Sequence, residues 1–350
     1  MEWSLPEFPE PPLDTPTVQA VSPAFLTKVQ HGPLATPHHP KRWIRGCVHD
    51  PRGKLVRASQ KIGGLHGHPW VPADPGRVAV GRRAELLDGT WLYGGHWIQH
   101  FGHFLIETIT TLWPETGPVD GLVFHKYLKR PWTVDPWQER VLELAGLGGL
   151  PIRVVGTGKA LRVENLIVPS RTVVANGWAH RPARKVWERV ASGFRGQGGP
   201  AKVFFSRTLF NEVRRREQHK KVPRTESERD RALDSLFAAE GFEVVSPETL
   251  DIDQQLRLAA NAQVIAGCSG SALHLSAFAS PGSRIIEIGD RRNVAQPVKL
   301  QLVIDTVCEH RRVFLRGDES PSGIASVLGS LDLGTSRSRP GFDRGGRGGG

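Results

Sequence analysis

Up to about residue 40 the chain is rich in proline and shows no sustained alternation of apolar and polar positions, which predicts an extended arm. From Trp43 to Leu92 short apolar runs are broken by glycine turns. Asp50-Pro51-Arg52-Gly53 reads as a turn, and Val78-Ala79-Val80-Gly81 as a strand end. Phe104, Leu105, Ile109 and Leu112 then recur at helical spacing, which predicts a helix over 102–113. A second helix is expected over 136–146, with strands over 121–125, 152–155 and 164–168. The stretch 182–194 reads as a helix and runs into Gly193 through Pro200, with four glycines and a proline, which predicts a domain boundary.

Beyond that boundary the pattern sharpens. Lys202-Val203-Phe204-Phe205-Ser206 reads as a buried strand, 226–240 as a helix stopped by Gly241, and Phe242 to Val245 as a strand. Helix, strand, helix and strand follow over 251–262, 264–266, 271–279 and 285–288. Such alternation predicts an α/β fold with a parallel sheet covered by helices on both faces. Sheets of this kind bind ligands beyond the carboxyl ends of their strands.

Composition changes the picture in three ways. The 350 residues are enough for two domains, and a hydrophobic share of 39% fits a folded chain rather than a disordered one. The formal net charge of +11 favours acidic partners: a nucleotide diphosphate, a polyanionic glycan, nucleic acid or an anionic membrane surface. Cys47, Cys268 and Cys308 are odd in number and far apart, so neither a disulfide framework nor a metal spacing follows. A cytoplasmic location is the expectation, with peripheral contact at the inner face of the membrane through the basic surface. The acidic, proline-rich opening residues do not read as a secretory leader, and no apolar run is long enough to span a bilayer.

The densest chemistry lies in Gly94 through Thr108, which holds His96, His100, His103 and Glu107 around one turn-to-helix transition. His103 and Glu107 are four apart, so they share a helix face and can hydrogen-bond. Paired imidazole and carboxylate are a common general base. The competing reading is an amphipathic helix with a locally satisfied histidine. A second candidate is Ala266 through Ala272, small residues between a strand and a helix that let backbone amides approach an anion. It carries neither GxGxxG nor a P-loop lysine, and Ser269 also reads as an ordinary helix cap. Arg207, after Ser206 at a strand end, can reach a phosphate bidentately, and Glu287 can accept from ribose hydroxyls. Each also reads as a surface ion-pair residue.

Three blocks together resemble glycosyltransferase family 61 over roughly residues 90 to 290. The first is Gly102-His103-Phe104-Leu105-Ile106-Glu107-Thr108 with Leu112-Trp113. The second is Val203 to Arg207 followed by Gly241 to Val245 and Pro247-Glu248. The third is Gln255, Ala262 to Gly267, Gly270 to Leu273 and Pro281 to Ile288. The resemblance implies an α/β, GT-B-like architecture, two Rossmann-like domains facing a cleft. Residues 41–195 would form the acceptor-side domain, 200–315 the nucleotide-sugar domain, 1–40 the extended arm and 334–350 a disordered Gly/Arg-rich tail. It also implies inversion without a cofactor or obligatory metal, with a nucleotide sugar as donor and a glycan or lipid-linked glycan as acceptor, in surface or capsular polysaccharide synthesis. Glu107 or His103 then becomes the base. Arg207, Ser206, Gly267, Ser269, Gly270, Ser271 and Glu287 become donor contacts, and His100, Trp97 and Trp113 acceptor or sugar contacts. The chain departs from the family at Ser269-Gly270-Ser271, where the family favours a histidine before the glycine, and His274 is the nearest substitute. It departs again at Thr225-Glu226, where the family favours Asn-Glu.

Two other classes stay in view. A metal-dependent hydrolase would draw ligands from His96, His100, His103 and Glu107, although the spacing is not HExxH. A non-catalytic glycan- or RNA-binding protein would use the Arg337, Arg339, Arg344 and Arg347 tail, which otherwise reads as a flexible end. The run Arg214-Arg215-Arg216 with Lys220, Lys221 and Arg224 reads either as a loop over the cleft or as a solvated charge run.

Overall fold

The computed structural model describes residues 15–28, 30–31, 43–45, 48–61, 71–73, 84–127, 132–156, 160–175, 177–217 and 225–331. The expected strand end at 78–81, the tail 334–350, Cys47 and Lys220, Lys221 and Arg224 lie outside those residues.

Two sheets carry the fold. In the first, Ile152–Val155, Gly121–Lys126, Glu85–Trp97 and Leu161–Pro169 lie side by side and parallel. In chain order these four strands run third, second, first, fourth. Val18–Val21 and Ala24–Leu26 pair antiparallel with Leu161–Pro169, so the described part of the expected arm is built into the sheet. The second sheet is all parallel, in the order Glu243–Val245, Lys202–Phe205, Val264–Cys268, Arg284–Ile288, Arg311–Leu315. In chain order that is second, first, third, fourth, fifth. Its central strand Val264–Cys268 is buried throughout, as two-sided cover requires.

Each order reverses direction once, and ligands in such sheets bind outside the carboxyl ends at that reversal. In the first sheet the reversal lies between Glu85–Trp97 and Leu161–Pro169. In the second it lies between Lys202–Phe205 and Val264–Cys268.

The expected boundary at 193–200 separates the sheets in sequence, while the largest apolar core runs across it. Phe104, Leu105 and Ile106 from the first half share that core with Trp187 and Val190 of helix Arg181–Ser192 and with Leu256, Leu273 and Phe278 from the second half. The outer faces have their own clusters, around Leu26, Tyr93 and Val163 and around Phe204, Phe237 and Ile286. Arg140 adds a forked ion pair between halves, its Nε and Nη2 each donating to Asp253 at 2.9 Å.

Three expected helices are irregular. The 102–113 helix is one α turn Phe101–His103, a π turn Phe104–Thr108 and a 3-10 turn Ile109–Leu112. Side chains take the carbonyls a regular helix would use internally. The Trp187 indole donates to Leu105 O at 2.9 Å, Thr110 Oγ1 to Ile106 O at 2.7 Å and Thr111 Oγ1 to Glu107 O at 3.1 Å. The 136–146 helix is α over Pro136–Leu142 and π over Glu143–Leu147, bent where Gly146 takes φ 81°. The 271–279 helix is a buried 3-10 segment, Leu273–Phe278. Among the described residues no helix is long and apolar enough to cross a membrane.

Candidate active site

At the first reversal point the strand Glu85–Trp97 is bulged at Gly94-Gly95. Gly95 has φ 76°, and a Cβ on Gly94 would fall 2.0 Å from the Phe124 ring, so neither position accepts a larger residue as built. The bulge turns His96 inward, where Arg171 Nη2 donates to its Nδ1 at 2.6 Å. Arg171 Nε donates to Gln60 O at 3.2 Å.

The irregular helix that follows places His103 Nδ1 2.6 Å from Glu107 Oε1, while the Lys61 ammonium donates to Glu107 Oε2. Glu107 is only 3% exposed, so both its oxygens are taken inside the protein; the His103 side chain is 27% exposed. Burial pushes the Glu107 carboxyl up, but Lys61 and His103 outweigh it and hold it well below the usual carboxylate range. Burial pulls the Lys61 ammonium down, Glu107 opposes this, and nearby Arg171 adds to it. An ionised carboxylate only accepts, so His103 carries its proton on Nδ1 and turns Nε2, the basic nitrogen of the neutral ring, away from Glu107. The sequence left two base candidates. In the structure Glu107 is buried with both oxygens paired, and His103 is the one within reach of solvent.

At the second reversal point Ser206 and Arg207 follow the strand Lys202–Phe205. Arg207 Nη1 donates to Ser269 O at 3.1 Å and lies 3.8 Å from Asp290 Oδ2. Arg207 is therefore fixed against the 267–271 turn. Ser206 is buried, its hydroxyl accepting from Thr208 N at 3.1 Å. Gly270 takes φ 148°, and a Cβ on Gly267 would meet Phe205 O at 3.3 Å, so this turn depends on its glycines.

Two expectations are corrected in this turn. Ser269 is fully buried, and its hydroxyl donates to Glu287 Oε1 at 2.6 Å rather than facing a ligand. Glu287 is buried too, accepts from Val298 N at 3.0 Å, and is closed off from a ribose. Burial pushes its carboxyl up to about 8, against the hydrogen bonds from Ser269 and Val298.

The two points meet at Gly102. A Cβ there would lie 3.0 Å from Ser271 Oγ and 3.0 Å from His274 Cδ2. The first and third sequence blocks are thus packed against each other, with His103 next in chain to that contact. Gln301 Nε2 donates to Ser276 Oγ and to Asp305 Oδ1, so its Oε1 accepts from His274 Nδ1 at 2.9 Å. That network fixes the His274 tautomer.

Trp97, expected to meet a sugar, is 1% exposed and wedged between Phe104 and Phe124, 5.1 and 5.0 Å away by ring centroids; it is core. Trp113 is half-buried and donates to Ser170 O at 2.9 Å. His100 is exposed, its ring 5.1 Å from that of His103. His96 is committed to Arg171 and His103 to Glu107, which separates the ligand set a hydrolase would need. Among the described residues no group of three or more His, Cys, Asp or Glu is placed to hold a metal ion. Arg214 to Arg216 end the helix Thr208–Arg216, and Arg215 Nη2 donates to Thr225 O at 2.8 Å. A separate pocket of about 480 Å³ lies at the opposite, amino-terminal edge of the second sheet, lined by Arg195, Arg284 and Arg311. Helices Arg181–Ser192 and Ile252–Asn261 end beside it, and Arg195 Nη1 donates to Ser280 Oγ at 2.8 Å.

Lys61 and Arg171 were missed from the sequence. Each is a lone basic residue with no motif around it, and only the fold brings it to the site.

The sequence model of the family described as Glycosyltransferase 61 matches residues 101–286. The match opens at Phe101, beside His103, passes through Arg207 and the 267–271 turn, and ends one residue before Glu287. No curated protein matches the chain.

Proposed function

We propose, from the premise that this chain belongs to glycosyltransferase family 61 and is a transferase of sugars from a donor to an acceptor, that it works by inversion with His103 as the general base. One observation carries this reading: the His103–Glu107–Lys61 chain stands, through Gly102, against the turn that bears Ser271 and Arg207's partner Ser269.

The donor is a nucleotide sugar. Its diphosphate lies at the second reversal point, by Arg207 and the turn around Gly270. The acceptor hydroxyl gives its proton to His103 Nε2 as its oxygen attacks the anomeric carbon. The bond from that carbon to the phosphate oxygen breaks on the opposite face, and the configuration inverts. Arg207 and the amides of the turn take up the charge of the leaving diphosphate. Glu107 steadies the imidazolium, and Lys61 keeps Glu107 ionised and in place. Protein cations and amides supply the charge stabilisation, so no metal is required. The two sheets with facing reversal points support a GT-B-like arrangement. The acceptor is a glycan or lipid-linked glycan in surface or capsular polysaccharide synthesis, and the net charge of +11 supports contact with an anionic membrane face.

A second reading, a non-catalytic glycan binder on the same fold, is favoured by one observation: Ser269 stands where the family favours histidine, and it points inward. Calorimetry and thermal shift against UDP, GDP, CMP and their sugar conjugates, with and without EDTA, separate the two. One nucleotide class that stabilises the protein with or without EDTA is the expected result. Binding of glycans with no response to any nucleotide would move the assignment to the second reading.

A further inference from the structure

A groove of about 560 Å³ lies between the two halves, within the size range of small-ligand pockets. Phe101 and Trp137 form one wall, Leu250 and Ile252 the other, with Asp251 and Gln255 at the edge. The Phe101 and Trp137 rings are 5.1 Å apart and inclined at 53°, and both are half-buried. The Arg140–Asp253 fork ties the walls together.

The lining says what fits. The helices Pro136–Leu142 and Ile252–Asn261 both start here, and both start with a complete capping box, from Asp135 with Gln138 and from Asp251 with Gln254. The boxes take up the third amide of each helix, Pro136 has no amide hydrogen to offer, and the groove edge carries carboxylates. An anion is disfavoured on both counts. Asp251 Oδ1 accepts from Gln254 N and Gln255 Nε2 donates to Leu250 O, so a purely apolar ligand would cover Asp251 Oδ2 and Gln255 Oε1 with nothing to donate to them. A ligand with one apolar face and a ring of hydroxyls matches both parts: the C–H face of a pyranose packs on aromatic rings, and its hydroxyls donate to carboxylates and carboxamides.

We infer that this groove holds a neutral sugar of the acceptor glycan, one or more residues away from the sugar that reacts. The inference rests on the transferase reading. Phe101 precedes His103 by two residues, so the groove begins within one helical turn of the base. On a helix, positions two apart point to different sides, so a sugar against Phe101 is not the one presenting its hydroxyl to His103. The acceptor is accordingly an oligosaccharide or longer, and a monosaccharide is a poor one.

The test uses the full chain on an array of neutral oligosaccharides, followed by titration of the best-bound one. Trp137→Ala is expected to weaken that binding about tenfold, the scale of one lost aromatic contact. Trp137→Phe keeps the platform and is expected to lose much less. Leu250→Trp fills the groove from the other wall and is expected to match the alanine variant, which covers the case in which Trp137→Ala fails to fold. Trp132→Ala, at an exposed position outside the groove, leaves binding unchanged. Wild-type affinity in both Trp137→Ala and Leu250→Trp overturns the inference, and so does the absence of any bound neutral oligosaccharide. UDP, GDP and CMP titrated into the same samples keep the two readings apart. Nucleotide binding with no groove effect leaves the transferase standing and removes only the subsite.

Discussion

The two reversal points sit at equivalent places in their sheets and treat their nearest buried glutamate differently. At the first, Lys61, Glu107, Arg171 and His96 are all buried, and charge is held inside by direct pairing. At the second, the turn is made of small neutral residues, and its buried carboxyl, Glu287, is raised to about 8 rather than ionised against a cation. The first point spends burial on fixing one imidazole. The second holds Glu287 away from any cation, pairs the buried Asp290 with Arg292 at 2.9 Å, and leaves Arg207 beside the turn. A site that moves a proton needs a defined tautomer, and one that receives a diphosphate needs open amides and a cation at its edge. The contrast therefore follows from the division of labour proposed here.

Breaking the first point should have the largest effect. His103→Ala is expected to lower transfer by about 10²–10⁴-fold, the usual range for a general base, with nucleotide affinity unchanged by calorimetry. Equal losses in transfer and nucleotide binding would instead make His103 a donor contact.

Next comes the buried pair. Lys61→Met leaves the buried Glu107 carboxylate with His103 as its one partner and no buried cation, an expected cost of about 3–5 kcal/mol in denaturant unfolding. Adding Glu107→Gln removes the stranded charge and should recover most of that stability without recovering activity. A double variant no more stable than the single one would show that Lys61 acts through packing alone.

The second point sharpens the comparison through pH. Glu287 binds its proton more tightly in the folded protein than in the unfolded chain, so its stabilising contribution is full below about 4.5 and is lost as pH rises through about 8. Glu287→Gln keeps an oxygen for Ser269 and Val298 but cannot ionise. It should be more stable than the parent at pH 8.5, by a few kcal/mol at most, with the gap closing at pH 5. Thermal unfolding at both pH values reads this directly, and a gap that widens on acidification would reverse the sign assigned to Glu287.

The smallest expected effect is at the edge of that turn. Arg207→Ala should cost about 1.5–3 kcal/mol of nucleoside diphosphate affinity, roughly ten- to hundredfold, with little change for the nucleoside alone. An equal loss for nucleoside and diphosphate would place Arg207 away from the phosphates.

Much of this was legible in the chain. The strands from Lys202 to Ile288 were readable because parallel strands buried on both faces are short, continuous apolar runs, whereas the edge strand Arg311–Leu315, with two exposed arginines, was not. The His103–Glu107 pair was readable because four residues make one turn, and the π turn kept the two side chains together. The regularity of that helix was not readable, because threonine hydroxyls and the Trp187 indole, 82 residues away in the chain, compete for its carbonyls. Trp97 misled because an indole in a motif-rich stretch reads as a sugar platform, while its burial depends on Phe124 from a neighbouring strand.

The sequence by itself determined the strand–helix alternation between Lys202 and Ile288, the family blocks and the residue types that could carry acid–base and phosphate chemistry, because local spacing and hydrophobic period are written into consecutive residues. Only the tertiary structure decided which of them face a ligand. Lys61 and Glu107 are 46 positions apart, and Ser269 and Glu287 are 18 apart. Whether a carboxylate is an open base or a sealed partner is set by desolvation and by the charge beside it, and both come from strands and turns distant in the chain.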